Sequence, residues 1–244
     1  MNISRYDCIY CKTRDCSILK NCNYETLQAI RTFKVCGAIK AGEHLFSVGD
    51  EINDIFFIKK GFIKIESMGR NGRPLILKIV GKGAILGSRI NIIDKHTKHT
   101  FSAVAGSDVE YCAVPNNVFK GIVTKSEILK QEIINQSITD LHHAETKAAN
   151  LALKSVRENL AEALLMLAEV YRYEDKNQSF SINFCRQDIA NLIGTTKEQV
   201  SKILKDFEKE GLIKCTAKKF HFLNIEGLLA LANNDQAITA TGNS

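Results

Sequence analysis

Short strands punctuated by glycine, a long stretch with apolar residues near heptad spacing, and two helices split by a glycine turn predict an α+β chain. The order is an N-terminal all-β domain, a long helix suited to dimerisation and a C-terminal winged helix-turn-helix. The predicted divisions are a cysteine-rich segment over 1–24, the all-β domain over 25–120, the long helix over 121–154, the winged helix-turn-helix over 155–232 and a flexible tail over 233–244.

The chain has 244 residues, is 45% hydrophobic and carries a net charge of +6. That is length enough for one or two cores, and the mildly basic balance suits an acidic partner such as nucleic acid. No run of about 18 apolar residues is present. The N-terminus lacks the basic-then-apolar order of a signal peptide. A cytoplasmic protein with no membrane partner is therefore expected. The 8 cysteines then point to metal or redox chemistry before structural disulfides.

The first segment, MNISRYDCIYCKTRDCSILKNCNYETL, holds Cys8, Cys11, Cys16 and Cys22 in a polar stretch with too few apolar residues to pack a core of its own. Something else must order it. Thiolates ligate iron-sulfur clusters and structural zinc, and Lys12, Arg14 and Lys20 favour the thiolate form. The C-x2-C-x4-C-x5-C spacing matches neither a bacterial ferredoxin run nor a paired zinc ribbon, so spacing leaves the metal open.

From about Val35 to Pro115 the chain is predicted to be all-β, as in HLFSVGDEINDIFFIKKGFIKIESMGRNGRPLILKIVGKGAILG. Gly81, Gly83 and Gly87 are spaced for tight turns and lack the strand-turn-helix context of a dinucleotide fingerprint. The DKHTKH loop, Asp94 to His99, is basic and reads as a solvated loop. His44, His96 and His99 invite a haem reading, but no attachment motif or clear second ligand accompanies them.

Asn116 to about Lys154 returns to helical periodicity, with Ile134, Ile138, Leu141, Ala148 and Leu151 near heptad spacing. Such a stripe suits a two-helix coiled coil. Ser137, Ala144 and Ala148 make it a modest seam. Val156 to Tyr173 is a further amphipathic helix, EDKNQ a polar turn, and the residues from Asn233 are expected to fray.

Between these lies the stretch that most directly suggests a partner. Arg186 to Ile193 reads as a short helix closed by Gly194. Thr196 with Gln199 forms a capping-box pattern that starts a second helix running to about Glu210, with Gly211 as its stop. Val200, Ile203, Leu204 and Phe207 are its buried stripe, leaving Lys197, Glu198, Ser201, Lys202 and Lys205 near the opposite face. Leu212 to Cys215 and Phe220 to Leu223 read as strands around the basic turn Thr216 to Lys219. A winged helix of this kind lays its second helix in the major groove while wing and helix ends hold the backbone. Arg186, Thr196, Lys218 and Lys219 join the candidate contacts.

The string RQDIANLIGTTKEQVSKILKDFEKEGLI resembles the helix-turn-helix of the Crp/Fnr family of bacterial transcription regulators. F-x-x-G-D, the strands around Lys59-Lys60-Gly61 and G-x-G-x-x-x-G resemble that family's cyclic-nucleotide-binding β-roll. In the Fnr branch a Glu, a Ser and an Arg meet the bases, and the matching positions are Glu198, Ser201 and Lys202. Lysine lacks the arginine fork, so guanine readout there is expected to be weaker or shifted. A homodimer on a palindromic double-stranded site of the TTGA type is implied, with RNA polymerase as a further partner.

The resemblance also implies a 4Fe-4S cluster that responds to oxygen or nitric oxide. Cys16 and Cys22 match the family's last N-terminal pair, and Cys112 in EYCAVP its central cysteine. Thr13 stands where the preceding ligand is usual, so Cys11, or in its place Cys8, is the first ligand. Zinc, haem, thiol oxidation or a small anion remain alternatives at the sensor. The clamp positions of cyclic AMP binders carry Ser88, His99 and Thr100, so cyclic AMP is not expected. No paired acid and base, phosphate cradle or activated nucleophile accompanies the cysteines, which argues against an enzyme.

Overall fold

The computed structural model describes residues 8–69, 72–87, 98–170, 179–181, 184–216 and 219–233. By contact the chain divides into two compact units, Met1–Ser67 with Leu77–Ala144 and Met68–Ile76 with Glu145–Ser244.

In the first unit, helix α1 (Tyr24–Phe33) starts where the Asn23 side chain accepts a hydrogen bond from the Thr26 N–H at 3.0 Å. Strands β1 (Val35–Ile39), β2 (His44–Phe46), β3 (Asp54–Lys60), β4 (Ile63–Met68), β5 (Pro74–Val80), β6 (Ile85–Leu86), β7 (Ser102–Ala105) and β8 (Val109–Pro115) follow. They form two four-stranded sheets, in the orders β1-β8-β3-β6 and β2-β7-β4-β5. Ile58 and Val109 of the first sheet and Ile63, Ala103 and Ala105 of the second share one buried cluster, which makes the β-roll.

A second cluster orders the cysteine-rich segment. Cys8, Ile18, Leu19 and Cys22 are buried with Leu27, Ile30, Phe57, Val114, Phe119 and Ile122. The segment thus borrows its core from α1, the roll and the helix after it. Gly83 makes room for it: its φ is +91°, and a Cβ there would lie 2.0 Å from the Cys16 carbonyl oxygen.

The helix expected from Asn116 to Lys154 is in fact two, α2 (Asn116–Lys125) and α3 (Glu127–Leu153). Ser126 between them is extended, and its hydroxyl accepts from the Leu129 N–H at 3.3 Å, capping α3. Phe119, Ile122 and Val123 hold α2 on the roll, so the boundary expected after residue 120 falls inside a packed helix. On α3, Leu129, Ile133 and Asp140 face inward. Asp140 accepts from Lys78 Nζ and, at 3.1 Å, from Gln136 Nε2. Ile134, Ile138 and Leu141 face outward.

The second unit holds the start of β5 as far as Ile76, the end of α3, then α4 (Val156–Val170), β9 (Ser179–Ser181), α5 (Arg186–Ile193), α6 (Lys197–Lys209), β10 (Ile213–Thr216), β11 (Lys219–Phe222) and α7 (Ile225–Ala232). Strand β9 and helix α7 were not expected. The wing becomes a three-stranded sheet ordered β10-β11-β9. At the α3–α4 joint, Asn150 Nδ2 reaches both Glu162 carboxylate oxygens at 2.8 Å, and Lys154 Nζ donates to Glu162 at 2.8 Å and to the Ala232 carbonyl at 2.7 Å. The core of the unit includes Leu160, Leu164, Ile189, Val200, Phe207, Phe220, Phe222 and Leu228. The EDKNQ turn, the C-terminal tail beyond Asn233, Ser88 and Asp94 to Thr97 lie outside the described residues.

Candidate nucleic-acid interface and thiol pocket

The turn between α5 and α6 is set by Gly194, in the left-handed region at φ 69°, with the Thr195 N–H donating to the Ala190 carbonyl at 2.9 Å. Thr196 caps α6, accepting from the Gln199 N–H at 3.3 Å. Val200, Leu204 and Phe207 are buried and Ile203 is half-buried. Lys197, Glu198, Lys202 and Lys205 are exposed, Ser201 and Thr196 half-buried. The expected division of α6 holds at Val200, Leu204 and Phe207 on the core side and at Lys197, Glu198, Lys202 and Lys205 on the charged side, while Ile203 and Ser201 lie at the border between them.

From behind, Arg157 lies over the Phe207 ring, 4.7 Å from its centroid, and pairs with Glu210. Glu208 on α6 accepts from the Cys215 N–H of the wing at 2.8 Å. Burial first, then Glu208, pushes the Cys215 thiol up to about 11. Arg186 at the start of α5 is half-buried. Lys218 and the side chain of Lys219 lie outside the described residues.

On α3 the outward stripe is apolar. Ile134, Ile138 and Leu141 are 46%, 62% and 59% exposed, and Ala148 is exposed as well. With i, i+4, i+7 and i+14 spacing they share one helix face.

In the other unit a small cavity of about 40 Å³ is lined by Cys8, Cys11 and Cys112 with Arg14, Lys34 and Phe57 among their neighbours. Of the predicted ligands, Cys16 and Cys22 lie outside this lining. Cys16 is exposed, and its Sγ donates to the Thr13 carbonyl at 3.3 Å. Cys22 is buried in the apolar cluster, and burial, reinforced by Glu132, pushes its thiol up to about 11. Among the described residues no three His, Cys, Asp or Glu side chains are grouped as a metal ion needs.

One thiol is in the neighbourhood that sequence reasoning passed over. Cys36 on β1 sits opposite Cys112 on β8, with the two Sγ atoms 3.1 Å apart. Burial, with Cys36 beside it, pushes the Cys112 thiol up to about 12. Burial also works against the charge on Lys34, but the thiols of Cys8, Cys112 and Cys36 outweigh it and raise its pKa. Of the histidines considered for haem, His99 is buried and stacked on Phe46 with ring centroids 3.6 Å apart, and burial lowers its pKa. It is a packing residue, not part of a solvated loop. His44 is exposed beside Ser47, and His96 lies outside the described residues.

Residues 38–126 match the cyclic nucleotide-binding domain and residues 158–231 the Crp-like helix-turn-helix domain. The chain belongs to the Crp/Fnr family. Crp/Fnr regulators bind DNA through this helix-turn-helix and typically dimerise, so this chain is a DNA-binding transcription regulator and not an enzyme. It is 27% identical to the fumarate and nitrate reduction regulatory protein of Vibrio cholerae, over 92% of this chain and 90% of the relative. The anaerobic regulatory protein of Haemophilus influenzae is 25% identical over 93% and 90% of the two chains. In fold the chain is similar to FixK2 from Bradyrhizobium japonicum, with a TM-score of 0.72, 18% identity and coverage of 81% of this chain and 96% of that one. No helix among the described residues is long and apolar enough to cross a membrane.

Proposed function

We propose that this Crp/Fnr regulator responds to oxygen, nitric oxide or redox state through an iron-sulfur cluster held by its N-terminal thiols and Cys112. The observation that carries the reading is the convergence of Cys8, Cys11 and Cys112 on one cavity that Lys34 also lines. Relatives named for anaerobic regulation and for fumarate and nitrate reduction support it.

The donor set fits such a group, since thiolates are its usual ligands, and ligation has to offset the burial that pushes the Cys22 and Cys112 thiols up to about 11 and about 12. The arrangement does not yet fit, because Cys16 and Cys22 lie outside the cavity that Cys8, Cys11 and Cys112 line. Binding therefore requires the segment from Cys8 to Cys22 to shift, so that Cys16 and Cys22 join Cys112 and either Cys11 or Cys8 as the four ligands. When bound, a 4Fe-4S cluster supplies an oxygen- and nitric-oxide-labile centre. Cys8, Ile18, Leu19 and Cys22 pack against Phe119, Ile122, Leu129 and Ile133, so movement of the segment reaches α2 and α3 directly. The apolar stripe Ile134, Ile138, Leu141 and Ala148 then pairs with a second copy. Two α6 helices together read a palindromic site through Glu198, Ser201 and Lys202, with Arg186, Thr196, Lys197, Lys205, Lys218 and Lys219 at the backbone. RNA polymerase is the partner downstream, and the cytoplasm, where thiols are kept reduced, is the compartment such a sensor needs.

The test is anaerobic purification with iron and acid-labile sulfide analysis, followed by DNA binding before and after brief air exposure. Iron and sulfide in near-equal amounts, with binding lost in air, is expected. Equal binding by metal-free protein removes the sensor reading and leaves the DNA-binding assignment standing.

A further inference from the structure

The Cys36 thiol has no part in the N-terminal cysteine run and lies 14 positions after Cys22, the last member of that run. Its place is fixed by sheet register: β1 and β8 run antiparallel and bring Cys36 directly across from Cys112, 76 positions later. We propose that Cys36 and Cys112 form a reversible disulfide under oxidation by a hydroperoxide, a modification site distinct from the N-terminal cysteine run.

Geometry supports the bond. Directly opposed residues of an antiparallel pair have Cα atoms about 4.5–5.5 Å apart. Disulfides span Cα separations of about 4.4–6.8 Å. The sulfurs stand 3.1 Å apart and a bond needs about 2.05 Å, so closure asks for roughly 1 Å of side-chain movement and no change of register. Neither sulfur is in a disulfide in this structure.

Exposure sets the order of events. Cys36 is half-buried and Cys112 only 8% exposed, so the hydroperoxide meets Cys36 first. The Cys36 thiolate attacks the peroxide, giving a sulfenic acid and releasing the reduced oxygen as water or an alcohol. The Cys112 sulfur then attacks that sulfenic sulfur, and the hydroxyl leaves as a second water with the Cys112 proton. Two thiols lose two electrons and the peroxide gains them. Proximity drives the second step, since the partner sulfur is already in contact. The bond would deny Cys112 to any metal; that consequence rests on the cluster reading, whereas the pairing itself does not.

The full-length protein, reduced and freed of metal, is treated with hydrogen peroxide at a few equivalents, alkylated and digested with trypsin without reduction. A linked pair of peptides, Val35–Lys40 with His99–Lys120, is expected as the main form of both cysteines, reversed by dithiothreitol and absent from Cys36→Ser. Alkylated Cys36 after peroxide, or Cys112 joined instead to Cys8, Cys11, Cys16 or Cys22, overturns the proposal. Iron content of anaerobically purified wild type and Cys36→Ser is read alongside. Iron absent from wild type counts against the cluster, while the linked peptides still decide the pairing.

Discussion

The Arg157 guanidinium lies over the Phe207 ring at 4.7 Å and reaches Glu210 just past the end of α6, so one residue of α4 fixes both the core and the C-terminus of the recognition helix. Phe207 is fully buried, whereas the side chains of the ion pair are 32% and 48% exposed and the pair contributes little. Arg157→Ala is therefore expected to lower unfolding free energy by about 1 kcal/mol, mostly through the lost cation–ring contact and packing. Phe207→Ala should cost about 3–5 kcal/mol. Thermal or urea unfolding of the two variants checks the ranking, and a larger loss for Arg157→Ala contradicts it.

Lys147 gives the fold a pH signature. Its Nζ donates to the Ile76 carbonyl at 2.7 Å, and burial pulls its pKa from 10.5 down to about 8. Between about pH 8 and 10.5 the unfolded chain holds a proton that the folded one has lost, so this residue makes stability rise with pH there. Below that window both forms are charged, and the full burial cost, on the order of 3 kcal/mol, is felt. Cysteines titrate in the same range, so the readout is differential. Lys147→Met should be more stable than wild type near pH 7.5, with the advantage shrinking by pH 10.5. A pH-independent difference contradicts it.

Leu141 tests the outward stripe of α3. Leu141→Glu places a charge in the proposed seam but on a surface that is open in the single chain. The monomer should keep its unfolding midpoint while dimer formation weakens by at least tenfold, read by sedimentation velocity on the form that binds DNA. An unchanged dimer shows that the stripe is not the interface.

Leu19 tests the docking of the cysteine-rich segment. It is buried in the cluster with Cys8, Leu27 and Phe119. Leu19→Ala should weaken docking by about 2–3 kcal/mol. Amide hydrogens with partners inside the segment, Ser17 and Cys22 among them, should then exchange faster by roughly 30-fold or more. Unchanged exchange means the segment is held by something else.

Legibility followed the range of the interactions. Helix α6 announced itself because cap, core stripe and charged face all lie within the span Thr196 to Glu210. The β-roll was legible as glycine-punctuated strands, yet its register was not, and register alone puts Cys36 against Cys112. A single cysteine in a strand carries no spacing to read. Helix α1 had a usable signal in Asn23 before Tyr24–Phe33, but the cysteines drew the segment's reading toward ligands and away from Leu27 and Ile30. Ser126 went unnoticed as a break because apolar periodicity continues on both sides of it. His99 looked solvated amid polar neighbours; its stacking on Phe46 depends on a strand more than 50 positions earlier.

The most direct measurement is selection of bound duplexes from a random-sequence pool by anaerobically prepared wild type and by a Ser201→Ala, Lys202→Ala double variant. The wild type should enrich a palindrome with half-sites one helical turn apart, and the variant should lose preference at the bases those two side chains meet, by about 1–3 kcal/mol for each good contact. Enrichment of the same palindrome with equal strength by both proteins would contradict the assignment of base reading to α6.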